Sequence, residues 1–169
     1  MFFDKQKGMP FLNKQQQSTT LGAIRWFLMA ILLMGLLGTG VELLLLEHTE
    51  GLWQWVPLLL IAIGLIVLSW GLLYPGRRNI RALQGTMILF VLSGLVGLIL
   101  HYEGNAEFEL EMYPSLKGLE LFWEAIRGAT PTLAPGTMIQ LGLLGLAYTI
   151  RHPQLGSSKK RPSDDKGNS

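Results

Sequence analysis

Two short segments of the chain repeat the pattern His-x-Glu-Gly, one containing His48 and Glu50 and the other His101 and Glu103. Imidazole and carboxylate groups together bind zinc and related divalent metals, and two imidazoles can ligate a haem iron axially. The segments lie at the outer ends of the first and third apolar runs, which cross a membrane in the same direction, so we expect the four groups to lie at one depth. The spacing matches no known ligand signature. The alternative interpretation is polar capping of helix ends at a membrane surface.

A second set of polar residues lies inside apolar runs. Glu42 precedes the end of the first run by about one helical turn, and an ionised carboxylate there is costly unless it is paired or reaches the headgroups. At 1.5 Å per residue, Glu42 lies roughly 6 Å and Gln140 roughly 12 Å below the same surface, with Thr137 between them. Two interpretations remain: polar contacts between helices, or coupling to an ion, proton or substrate.

Catalytic templates are absent from the sequence. The chain contains no cysteine, which excludes disulfides, thiolate metal sites and iron–sulfur clusters. It has no Walker loop, no dinucleotide fingerprint and no His-Glu-x-x-His helix. Ser69 and Ser93 lie within apolar runs and lack the Gly-x-Ser-x-Gly context of a hydrolase. We therefore predict no catalytic residue and no resident cofactor.

The elements that carry these residues are long apolar runs. Of the 169 residues, 49% are hydrophobic and 15% charged, whereas a soluble domain has about 25% charged residues. A helix of about 20 apolar residues reaches roughly 30 Å, the thickness of a bilayer core. The composition predicts an all-α integral membrane protein, a bundle of four transmembrane helices. The spans are predicted at residues 26–46, 52–74, 83–100 and 132–150.

The loop of residues 101–131 is the one sizeable segment outside these spans. In residues 103–113, glutamates alternate with apolar residues, so strand and helix remain competing interpretations. Residues 116–127 have the apolar spacing of a short interfacial amphipathic helix, for which Ser115 would be the N-cap. Phe108, Phe122 and Trp123 are the aromatic residues of this loop that we expect to contact a partner.

The distribution of basic residues predicts the orientation of the bundle. Of the 14 Lys and Arg residues, only Lys117 and Arg127 lie in the loop of residues 101–131, and the other twelve lie at the opposite ends of the spans. By the positive-inside rule, both termini are cytoplasmic and the loop of residues 101–131 faces outward. We expect a plasma or bacterial inner membrane, with flexible cytoplasmic tails at residues 1–20 and 153–169 around a membrane domain at 21–152.

Three functions remain open from the sequence. The first is a non-enzymatic structural or accessory subunit of a membrane complex, which contacts lipids and either a protein partner or further copies of itself. The second is a small oligomeric ion- or proton-coupled transporter that uses Glu42. The third is a metal- or haem-binding module built on His48 and His101. Nucleic-acid binding is not expected, because the net charge of +2 is small and most basic residues lie on one side of the predicted membrane.

Overall fold

The computed structural model describes residues 9–128 and 130–156, and within these ranges the regular structure is entirely helical. Three of the helices contain segments long and apolar enough to cross a membrane: Gln16–Leu45, Leu52–Leu73 and Arg77–Met112. The six helices in chain order are α1 (Met9–Leu45), α2 (Leu52–Leu73), α3 (Arg77–Met112), α4 (Gly118–Arg127), α5 (Gly136–Thr149) and α6 (Pro153–Gly156).

Two helices extend beyond the predicted spans. Helix α1 begins at Met9, so residues 9–20 of the predicted flexible tail are helical, whereas residues 1–8 and the tail from residue 157 lie outside the described residues. Helix α3 has 36 residues, which corresponds to about 54 Å, and it continues past Leu100 to Met112. For residues 103–112 the helical interpretation is therefore confirmed over the strand.

Helix α5 is shorter than the predicted fourth span. Its 14 residues correspond to about 21 Å, and turns at residues 132–135 precede it. In these turns the Ala134 amide donates to the Pro131 carbonyl at 3.0 Å and the Met138 amide to the Pro135 carbonyl at 3.0 Å. The prolines have no amide hydrogen to continue a regular α-helical ladder, which accounts for the tighter three-residue bonding.

The core lies where α1, α2, α3 and α5 meet. Leu32 and Leu36 of α1 are fully buried, as are Met87 and Phe90 of α3. Phe90 also lies beside Gly64 of α2, where an added Cβ atom would be 3.4 Å from the ring. These four helices therefore pack through one shared apolar centre and not as separate pairs.

Glycines allow α3 and α5 to approach closely. A Cβ atom at Gly142 would lie 2.7 Å from the Met87 carbonyl oxygen, and one at Gly145 would collide with the Met87 side chain. On α3, a Cβ atom at Gly94 would lie 2.8 Å from the Pro135 carbonyl oxygen. The backbones are therefore in direct contact along much of α5.

The amphipathic helix predicted at residues 116–127 is present as α4, but its beginning differs. The helix begins at Gly118, and the N-cap is Lys117, whose side chain makes no capping hydrogen bond. Ser115 is therefore not the N-cap. Gly118 has a φ of +61°, a left-handed conformation that glycine adopts without the steric cost of a Cβ atom. This residue turns the chain from α3 into α4.

Candidate functional site

The side chain of Asn105 lies at the centre of the cap, which we define as residues 101–128 and 130–135. Asn105 is 2% exposed in α3. Its Nδ2 lies 2.9 Å from the Ala125 carbonyl oxygen, 2.8 Å from the Thr130 carbonyl oxygen and 2.8 Å from Thr132 Oγ1. Its Oδ1 accepts from the Thr130 amide at 3.1 Å and from Thr130 Oγ1 at 2.7 Å. One amide group thus joins three parts of the cap.

The chain after α4 closes tightly around this amide. Thr132 Oγ1 donates to the Ala125 carbonyl oxygen at 3.1 Å, and both residues are buried. A Cβ atom at Gly128 would lie 2.8 Å from the Asn105 side chain, so only glycine fits there without displacement. The sequence prediction missed Asn105 and Thr132. The available signal was an asparagine, a weak helix former, at an interior position of a helix.

Aromatic side chains cover the outside of the cap. Phe122 of α4 lies between Tyr102, at 5.9 Å between ring centroids, and Trp123, at 5.5 Å with an edge-to-face angle of 71°. Phe122 is nevertheless 40% exposed, and Trp123 and Phe108 are each 48% exposed. Aromatic rings that are both held by neighbours and exposed are typical of the anchor residues of protein interfaces.

The cap is also strongly acidic. Its one ion pair in the described ranges joins Arg127 to Glu124 at 3.8 Å, and because both side chains are largely exposed it adds little stability. Lys117, the other basic residue of the cap, is exposed. The acidic residues are at least partly exposed, and they are Glu103, Glu107, Glu109, Glu111, Glu120 and Glu124. The aromatic surface therefore lies within a negatively charged environment.

The structure brings together the two histidines of the His-x-Glu-Gly repeat. The rings of His48 and His101 are 6.5 Å apart between centroids with an interplanar angle of 27°, and Nδ1 of His101 is buried without a hydrogen-bond partner. Burial lowers the pKa of His48 below its ordinary value, which favours a neutral ring at pH 7. Glu50 and Glu103 are exposed, and the described residues contain no cluster of three or more metal-ligating side chains.

The three polar residues of the predicted intramembrane cluster are separate. Glu42, Thr137 and Gln140 are each exposed on the surface of the bundle, and no hydrogen bond links their side chains in the described ranges. Helices α1 and α5 do pack together below them, where a Cβ atom at Gly35 would lie 2.5 Å from the Leu141 side chain and one at Gly145 would lie 3.4 Å from the Leu32 side chain. The contact between these helices is therefore apolar where it is closest.

The comparisons with known proteins found no match for this chain among protein-family models, curated proteins or solved structures.

Proposed function

We propose that this chain is a non-enzymatic, multi-pass membrane protein whose cap binds a protein partner, as an accessory or structural subunit of a membrane complex. In this proposal α1, α2 and α3 span the bilayer and α5, with the turns before it, forms the fourth span. The many exposed hydrophobic side chains on these helices support the arrangement, among them Trp26 at 69% and Phe27 at 67%. Lipid tails would cover these side chains, which water would leave unfavourably exposed.

The basic residues support an orientation with both termini on the cytoplasmic side of an inner membrane, because the cap holds only two of them. The cap then faces outward on the continuation of α3. The exposed fractions of Phe122 and Trp123, 40% and 48%, leave their rings accessible to another protein.

The observation that carries the proposal is the fixed presentation of Phe122 and Trp123. The Asn105 amide ties the end of α4, which carries these rings, to α3, because its Nδ2 lies 2.9 Å from the Ala125 carbonyl oxygen and 2.8 Å from the Thr130 carbonyl oxygen. This attachment lowers the conformational entropy that α4 loses on binding. Exposed aromatic rings among carboxylates suit a partner surface that combines an apolar recess with Lys or Arg side chains. We therefore expect a protein partner with a basic, apolar surface at the outer membrane boundary.

The test is co-purification from the native membrane in mild detergent, with partners identified by mass spectrometry. A double variant, Phe122→Ala with Trp123→Ala, should lower the recovery of a stoichiometric partner at least tenfold, because anchor residues at interfaces contribute about 2 kcal/mol or more each. Trp53→Ala is the matched control, since Trp53 is also exposed but lies outside the cap. Unchanged recovery in the double variant, at normal protein level, would overturn the proposal.

The alternative is a small oligomeric ion- or proton-coupled transporter, and one observation favours it. Glu42 is exposed on an apolar helix with no side-chain hydrogen bond in the described ranges, and an unpaired carboxylate within a bilayer is costly. A second copy would have to cover it.

The test is cation- or proton-dependent flux in proteoliposomes, where Glu42→Gln abolishes the flux if the carboxylate couples transport. Glu47→Gln, beyond the end of α1, is the control, and equal flux in both variants would refute transport through Glu42.

A further inference from the structure

A cavity of about 420 Å³ lies at the end of the bundle opposite the cap. It is surrounded by residues 22–29 of α1, the end of α2, the beginning of α3, and the end of α5 with the residues that follow it. Its wall is mainly apolar and includes Trp26, Met29, Val67 and Leu72. A recess of this size with a mainly apolar wall can hold part of a lipid tail.

Arg25 provides a positive charge at this cavity. Its guanidinium group donates one hydrogen bond, to the Arg151 carbonyl oxygen at 2.9 Å, which orients the side chain across the end of α5. A guanidinium has five N–H groups, so most of its donors remain available. No acidic residue lines the cavity, and the described residues give Arg25 no carboxylate partner. Within residues 9–128 and 130–156, the site therefore has a cation without a counter-ion.

His152 places a second donor beside Arg25. The backbone amide of Gln154 donates to His152 Nδ1 at 3.4 Å, so a neutral His152 ring carries its proton on Nε2. Burial, with a smaller contribution from Arg25, lowers the pKa of His152, so the ring is neutral at pH 7. It then offers a hydrogen-bond donor without adding charge, and Arg25 is the one charged side chain among the described residues that line the cavity.

Asn79, the remaining amide on α3 at this cavity, already has partners within the chain. In the amide orientation that satisfies both neighbours, it donates to the Tyr74 carbonyl oxygen at 2.9 Å and accepts from Trp70 Nε1 at 3.2 Å. It therefore joins α2 to α3 and is not available to a ligand. Arg25 and His152 therefore keep donors for a ligand, and the side chains of Tyr148 and Gln154, which also line the cavity, carry further donors.

We propose that this cavity binds one anionic phospholipid. The lipid phosphate accepts hydrogen bonds from the Arg25 guanidinium and from His152 Nε2, and one acyl chain lies against Trp26, Met29 and Val67. The proposal rests on the membrane arrangement proposed above, which places this end of the bundle at the headgroup level of the cytoplasmic leaflet. A basic recess between transmembrane helices on that side suits an anionic headgroup. The mainly apolar wall of the cavity favours a lipid over a free phosphate ion.

The first experiment compares lipid binding by the full chain in detergent, by native mass spectrometry. The probes are phosphatidylglycerol and phosphatidylcholine with identical acyl chains. We expect phosphatidylglycerol to bind at least fivefold more tightly, and Arg25→Gln to remove most of that preference, because one basic residue near the surface contributes about 1 kcal/mol. Arg78→Gln, an exposed arginine outside the cavity, is the matched control. Equal binding of the two lipids, or equal effects of the two variants, would overturn the proposal.

A second pair of variants tests the cavity and leaves the charge unchanged. Gly22 lines the cavity, and a Cβ atom there meets nothing within 4 Å, so Gly22→Leu fills the space without a clash at the backbone. Gly38 is equally open on the same helix but lies outside the cavity, and Gly38→Leu is its control. We expect Gly22→Leu alone to lower lipid occupancy at least fivefold while the melting temperature is maintained. Unchanged occupancy in this variant would exclude an acyl chain from the cavity.

Two further measurements distinguish this proposal from binding of a free phosphate ion and from lipid binding that depends on the cap. Inorganic phosphate at millimolar concentration should not displace the bound lipid, and displacement would show that the site binds a phosphate ion and not a lipid. The double variant of Phe122 and Trp123 should keep its lipid, and Arg25→Gln should keep its co-purifying partner. Loss of lipid in the cap variant would show that binding depends on the cap and not on this cavity.

Discussion

Replacement of Asn105 by alanine should release the cap from α3. The side chain has two N–H groups shared among three oxygen atoms and an oxygen that accepts from Thr130, which amounts to about four effective hydrogen bonds. A neutral hydrogen bond contributes about 0.5–1.5 kcal/mol net. Because part of the network can reach water after the substitution, we expect a local loss of about 3 kcal/mol.

Trypsin provides the assay, because Lys117 and Arg127 are its two cleavage sites in the cap and flank α4. Cleavage through local opening follows the population of the open state when closing is fast. A loss of about 3 kcal/mol raises that population more than a hundredfold. We expect the cleavage rate after Arg127 in detergent, measured by mass spectrometry of the fragments, to rise by a similar factor in Asn105→Ala.

Two more variants strengthen this experiment. Asn105→Asp keeps the shape but loses both donors and directs a carboxylate at the carbonyl oxygens of Ala125 and Thr130, so its cap should open at least as readily. Gly104→Ala is the control, because a Cβ atom at Gly104 meets nothing within 4 Å and alanine favours the helix by about 0.5–1 kcal/mol. Cleavage at the wild-type rate in Asn105→Ala would refute the role assigned to this amide.

Two further predictions concern the bundle and its response to pH. Gly142→Ala should destabilise the protein by about 1–3 kcal/mol in thermal unfolding, because the new Cβ atom would meet the Met87 carbonyl at 2.7 Å, whereas Gly85→Ala, in open space, should not. A similar loss in both variants would contradict this packing. Burial lowers the pKa of His48 from 6.5, so the unfolded chain binds more protons as the pH falls through that value. The melting temperature should therefore decrease from pH 7.5 to pH 5.5, less steeply in His48→Gln; identical profiles would exclude this contribution.

Much of the candidate site follows from local sequence patterns. The apolar spacing of residues 116–127 predicted the helix that carries Phe122 and Trp123, because an amphipathic pattern belongs to one element and needs no knowledge of its neighbours. The parallel directions of α1 and α3 likewise predicted that His48 and His101 would lie at one depth. Residues 103–112 were ambiguous, since alternating glutamates satisfy a strand and an exposed helix equally well.

The sequence alone determined the class of elements: apolar runs of spanning length are a property of composition, and the bilayer thickness converts that length into a prediction. Only the tertiary structure decided which side of each helix has a neighbour. Glu42 was predicted beside Thr137 from depth, but hydrogen bonding also depends on how α1 and α5 are rotated about their axes. The rotation of α5 is set by the close contacts of Gly142 and Gly145 with α3. The partners of Asn105 lie 20 or more residues away in sequence, so its role depends on how the cap folds back onto α3.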